Sequence, residues 1–191
     1  MFANAIIFLV KTIFSLLTLA FLLRFYFQLT LVSFSHPLSQ TIVQVTNFAV
    51  KPIRKIIPSA FGMDLSTLLL AVLTQFLMTF ITLWLQDFPL WIAGDHIWLI
   101  MLGLAGLGVI SMSGSIFMVA VLLQAVLSWV NPHTPIAPIL HQITSPILNR
   151  LRRMVQPIGM LDLSALVFII TAQLILSTLI IPLEIKLYAM L

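Results

Sequence analysis

Residues 65–85 read LSTLLLAVLTQFLMTFITLWL, a stretch without a single charge that follows Asp64 and ends just before Gln86 and Asp87. A hydrocarbon core about 30 Å thick takes roughly 20 helical residues per crossing, so this stretch reads as a transmembrane helix. Working outward, three more apolar runs qualify: about 2–31, 97–130 and 163–181. The first and third exceed a simple crossing and must tilt or project as continuous helix. Composition agrees. The 191 residues are 61% hydrophobic and 7% charged, against about 25% charged in soluble domains. Mean hydropathy is +1.18. The absence of cysteine excludes disulfides, thiolate metal sites and cysteine nucleophiles.

Orientation follows from the connections. Lys51, Arg54 and Lys55 lie between the first two spans, and Arg150, Arg152 and Arg153 between the last two. The central connection, 86–96, carries only Asp87 and Asp95. By the positive-inside rule the two basic loops are expected in the cytoplasm, and both termini and the Asp-bearing loop outside. Trp84, Trp91 and Trp98 around the outer loop, with Tyr26 and Trp129 near the inner ends, read as interfacial belts. Lys11 follows the first apolar residues rather than preceding them, so the amino-terminal run reads as a retained span, not a cleaved signal.

The chain also matches itself at an offset of 98. Pro37 meets Pro135, Gln44 meets Gln142, Thr46 meets Thr144, Arg54-Lys55 meets Arg152-Arg153, Asp64-Leu65-Ser66 meets Asp162-Leu163-Ser164, and Gln75 meets Gln173. Near the first span the offset drifts to about 100. The expected fold is therefore all-α, with four transmembrane helices in two parallel helix–amphipathic helix–helix repeats, 1–96 and 97–191. In the loop 32–64, Gln40, Gln44, Asn47 and Lys51 recur at helical spacing with apolar residues between them, the pattern of a helix lying on headgroups. A short re-entrant or buried segment is the alternative. Its counterpart in 131–162 contains Pro146, expected to start a new turn or kink the helix.

These repeated pieces carry a resemblance. The first copy reads Leu22-Leu23-Arg24, His36-Pro37-Leu38-Ser39-Gln40, Val45-Thr46-Asn47, Pro52-Ile53-Arg54-Lys55-Ile56-Ile57-Pro58 and Gly62-Met63-Asp64-Leu65-Ser66. The second reads Leu127-Ser128-Trp129-Val130-Asn131-Pro132, Thr144-Ser145-Pro146, Arg152-Arg153 and Asp162-Leu163-Ser164. Together they resemble the YggT family of bacterial and plastid membrane proteins over nearly the whole chain. Phe61-Gly62-Met63 and Gly159-Met160-Leu161 stand where that family usually has Gly-Gly before the aspartate, and Gln124 stands roughly where the first copy has Arg24. The resemblance implies a bacterial inner-membrane protein implicated in osmotic or potassium tolerance, or in envelope or division processes. It also implies kinship with plastid proteins linked to cytochrome assembly and nucleoid organisation.

Several polar residues demand a reason. Lys11 and Arg24 are separated by about 18 Å of helix, too little for a crossing, so at least one charge sits in or at the edge of hydrocarbon. Either both snorkel to the headgroups, or Arg24 pairs with Asp64 or Asp162 and Lys11 with Glu184. Asp64 and Asp162 read as N-caps of the short helices. Gln75 and Gln173 fall near mid-bilayer, where two amides are expected to bond each other across the pseudo-two-fold; lining a conduction path is the alternative. Gly103, Gly106, Gly108, Ser111, Ser113, Gly114 and Ser115 make the third span a packing surface.

No phosphate-cradling loop, His-Glu-x-x-His or nucleophile elbow is present, and the four histidines are scattered. No catalytic residue, metal ligand or cofactor is expected, and no nucleic acid. The leading expectation is a non-enzymatic scaffold or assembly factor. It would bind anionic lipid through Lys51, Arg54, Lys55, Arg150, Arg152 and Arg153, with a membrane-protein partner or a second copy. The alternative is a transporter or channel component in osmotic or potassium homeostasis.

Overall fold

The computed structural model describes residues 2–57, 59, 62–90, 94, 96–131, 133–155 and 162–191. Trp91 and Asp95, together with Pro58, Phe61, Pro132, Gly159, Met160 and Leu161, lie outside them. The described chain is helical: α1 (Phe2–Leu29), α2 (Pro37–Arg54), α3 (Leu65–Leu85), α4 (His96–Val130), α5 (Ala137–Arg152), α6 (Leu163–Ile175) and α7 (Ile181–Tyr188), the last two joined by a π-helical turn, Leu176–Ile180. Among the described residues four helices are long and apolar enough to cross a membrane, the fourth being the continuous rod 163–188. Leucines and isoleucines such as Leu9, Leu102, Ile110, Leu166 and Ile170 point outward, as a helix surface in lipid requires. This is a multi-pass membrane protein.

α1 and α3 make the most intimate pair, α4 packs along α3, and the rod α6–α7 packs along α4. One core joins Phe21 and Leu22 of α1, Val50 of α2, Leu70 and Ala71 of α3, and Val109 and Ile116 of α4. A smaller one joins Val121, Leu148 and Ala165 of α4, α5 and α6. The helix α2 begins where His36 accepts the Leu38 N–H at 3.2 Å and Pro37 occupies the first turn. It ends with Lys51 and Arg54 in its last turn, where cations suit the helix dipole. It docks on α1 and α3 through a face that carries Ser39, Ile42, Thr46, Ala49, Val50 and Ile53, while Leu38, Val45 and Phe48 stay exposed. At that end the halves touch: Phe27 and Val32 meet Ile139 and Ile143 of α5, and the His36 ring nitrogen Nε2 lies 3.1 Å from the Pro135 carbonyl.

Two prolines sit within continuous helical segments. Pro146 neither restarts nor ends α5. It cannot bond the Gln142 carbonyl four residues back, and the Ser145 hydroxyl donates to that carbonyl instead, at 3.2 Å. Nor does the last span stop at Ile181. Pro182 sits in the first turn of α7, directly after the widened π turn, and such a turn accommodates a ring that ordinary α-helix excludes. The small residues of α4 serve packing within the fold on two faces. Gly108 faces Gln75 of α3, while Gly103 and Gly114 face Leu187 and Leu176 of the carboxy-terminal rod. Tyr26, half-buried near the end of α1, packs edge-on against Phe117 with ring centroids 4.8 Å apart. Trp84 and Trp129 remain exposed.

Candidate functional site

The polar chemistry collects at one end of the bundle, where α1 and α4 finish, α3 and α6 begin, and α2 and α5 lie across them. Each short helix is anchored twice. The first anchor is a threonine on its buried face. Thr46 donates to the Ile42 carbonyl of its own turn at 2.6 Å and accepts from Arg24 Nη1 of α1 at 2.7 Å. In the second half the Thr144 hydroxyl bonds the Gln124 amide of α4 and reaches its own Leu140 carbonyl at 2.8 Å. Both threonines are fully buried. A guanidinium in one half and an amide in the other thus hold equivalent hydroxyls.

The second anchor is an ion pair. Arg54, at the end of α2, meets the Asp64 carboxylate. Arg152, at the end of α5, donates from Nη2 and Nε to Asp162 at 2.6 and 2.9 Å. The environments differ: the Asp64 side chain is fully enclosed, whereas the side chains of Arg152 and Asp162 are each 37% exposed. Burial pushes the Asp162 carboxyl up, but hydrogen bonds from Ser164 and Arg152 and the charge of Arg152 outweigh it and hold the group below its ordinary value.

Several expectations are corrected by this geometry. Arg24 pairs with neither Asp64 nor Asp162, because Arg54 and Arg152 hold those carboxylates. Instead Arg24 Nη1 donates to Thr46, to Asn47 Oδ1 at 3.1 Å and to the Val43 carbonyl at 3.4 Å. Asp162 caps its helix, accepting the Ser164 N–H at 3.1 Å. Asp64 makes no such side-chain cap; only its backbone carbonyl serves the first turn of α3, accepting from Thr67. Gln75 does not reach Gln173. Its amide donates weakly to Thr18 Oγ1 of α1 at 3.4 Å and lies against Gly108, while Gln173 is exposed on the flank of α6. The amides are kept apart because α4 lies beside α3 where α6 would have to be. Lys11 is exposed beside Phe8 and Ser15 and forms no ion pair with Glu184 among the described residues.

Thr46, Thr144 and Asn47 were the residues that mattered and carried no assigned role. Their signal was present: Thr46 and Thr144 fall in repeat register, each on the docked face of its helix. Lys51, Arg54, Lys55, Arg150 and Arg153 are exposed at this end and Arg152 is half-buried, a basic cluster closing each of α2 and α5. No cluster of metal-ligating side chains occurs among the described residues.

A family model described as CCB3/YggT matches twice, over residues 3–85 and 104–183. The chain is 35% identical to an uncharacterized protein of Vibrio alginolyticus over 89% of its length and 90% of that protein's. It is 35% identical to an uncharacterized protein of Pseudomonas aeruginosa, covering 90% and 86%, and 32% identical to the uncharacterized protein YggT of Escherichia coli K12, covering 87% and 85%. No solved structure matches at a significant level. With both halves matched by one family model and relatives aligned along nearly the full length, the chain belongs to the CCB3/YggT family.

Proposed function

We propose that this protein is a non-enzymatic scaffold or assembly factor of the bacterial inner membrane. Its termini are outside, and α2 and α5 rest on the cytoplasmic leaflet. The observation that supports this reading is the double anchoring of each short helix by a threonine and an arginine–aspartate pair at equivalent positions. That anchoring presents Lys51, Lys55, Arg150 and Arg153 as a fixed basic surface, not on a loose loop. Each cation held near an anionic leaflet is worth about 1 kcal/mol, and an immobile array is suited to collecting lipid headgroups or an acidic partner segment.

The test neutralises Lys51, Lys55, Arg150 and Arg153 to glutamine, leaving both ion pairs intact. In phosphatidylcholine vesicles doped with labelled phosphatidylglycerol, the wild-type chain is expected to enrich the anionic lipid around itself, and the variant is not. In native membranes, crosslinking with mass spectrometry is expected to lose partners in the variant. Equal enrichment and an unchanged partner set overturn the reading. Ion flux through the purified chain in liposomes, abolished by Gln75→Leu, replaces it with a transporter.

A further inference from the structure

We propose that the first repeat holds a site for a phosphate-type anion between α1 and α2, with Arg24 at its floor. A cavity of about 380 Å³ opens there, lined by Arg24, Arg54, Gln28, Gln40 and Gln44 among others. Arg24 is only 6% exposed and has no carboxylate partner among the described residues. One of its nitrogens, Nη1, makes all of its bonds. Nε and Nη2 are left without partners among the described residues, on a side chain that borders the cavity. The Asp64 carboxylate is held by Arg54, so of the two guanidinium groups that border the cavity Arg24 is the one left without an ion pair, and the site keeps one excess positive charge. A buried cation without a counter-charge is costly, and a planar guanidinium fork fits a phosphate oxygen pair. The Gln44 amide, exposed and without a bonding partner among the described residues, adds donors at the rim.

The second repeat is the internal control. There Gln124 holds Thr144 with a neutral amide, so anchoring the short helix does not require a charge. The opening beside Gln124, about 760 Å³, is walled mainly by apolar residues such as Leu122, Val126, Leu166 and Ile170. The charge in the first half is thus surplus to the fold. The site deepens the anionic-lipid reading above, adding one selective pocket to a diffuse basic surface. Its ligand is a phosphate monoester or diester, from a lipid headgroup or from solution.

Two arms separate those sources, both with the full-length chain in neutral detergent. Phosphatidylglycerol against phosphatidylcholine is titrated by native mass spectrometry, and inorganic phosphate by isothermal calorimetry. Saturable binding of phosphatidylglycerol alone supports the site with a lipid ligand; binding of inorganic phosphate supports it with a soluble one. Arg24→Gln, which installs the second repeat's own residue, is expected to keep the helical circular dichroism and weaken binding about tenfold or more. Arg24→Lys is expected to fall between, and Gln44→Leu, at a side chain without a bonding partner among the described residues, to lose less. The site is overturned when neither probe binds the wild-type chain, or when R24Q binds as wild type. The fourfold surface variant distinguishes the two failures. Unchanged binding in R24Q with lost lipid enrichment in the surface variant sinks the pocket and leaves the broader reading; the reverse pattern sinks the broader reading and leaves the pocket.

Discussion

Asp64 is enclosed with its partner Arg54 at 42% exposure, whereas Asp162 and Arg152 are both 37% exposed, and this difference sets what each pair is worth. Removing Arg54 strands an enclosed carboxylate, which is costly, whereas Asp162 stays within reach of water when Arg152 is removed, and a half-exposed pair is worth about 1 kcal/mol or less. Arg54→Ala is therefore expected to destabilise the chain well beyond Arg152→Ala, read as midpoints in denaturing-detergent titrations of the two variants. Equal midpoints would refute the assignment. That each aspartate opens a short helix was readable from its place before an apolar run. Which arginine it meets was not, because Arg24 and Arg54 approach from different helices and only the docking of α2 decides between them. Polar residues in the spans likewise misled by pairing in register. Hydroxyls such as Thr74 and Ser115 bond carbonyls four residues back in their own helices, at 2.6 and 3.0 Å, and so need no partner elsewhere.

Among the elements, the spans and the amphipathic α2 were legible because their periods are set by lipid on one side and bundle on the other. Helix ends were less so. Proline stops a helix in water, yet at Pro146 a serine replaced the missing bond and at Pro182 a widened turn absorbed the ring. The contact between α3 and α4 offers a sharp test. A Cβ on Gly108 would lie 2.8 Å from Gln75 Oε1 and 3.1 Å from its Cδ, and Gln75 is only 5% exposed, with little room to turn. Gly108→Ala is expected to cost about 1–3 kcal/mol, most of it recovered in the Gly108→Ala/Gln75→Ala double variant. The coupling is read from a double-mutant cycle; additive losses would show that the two residues do not meet. Gly62 illustrates a different constraint, since its φ of +76° and not its surroundings excludes a side chain.

For the molecule as a whole, the absence of cysteine makes orientation directly measurable. Single cysteines at Lys55 and Met154 are expected to react with an impermeant maleimide only from the cytoplasmic side, and one at Asp87 only from outside. Labelling of all three from one compartment would overturn the parallel arrangement. Repetition was visible in the sequence because Thr46 and Thr144, Arg54 and Arg152, and Asp64 and Asp162 share one offset. One inequality of the halves, Gln124 for Arg24, was visible too; the apolar surface that α6 leaves uncovered beside α4 was not, since it depends on how the helices pack. Substituting Gln124 for Arg24 leaves the shape of the duplication in place while cancelling its electrical symmetry. Any ligand that recognises a guanidinium at that depth therefore meets a single receptor site in each polypeptide, and its saturation stoichiometry is one, not the two that a count of repeats suggests.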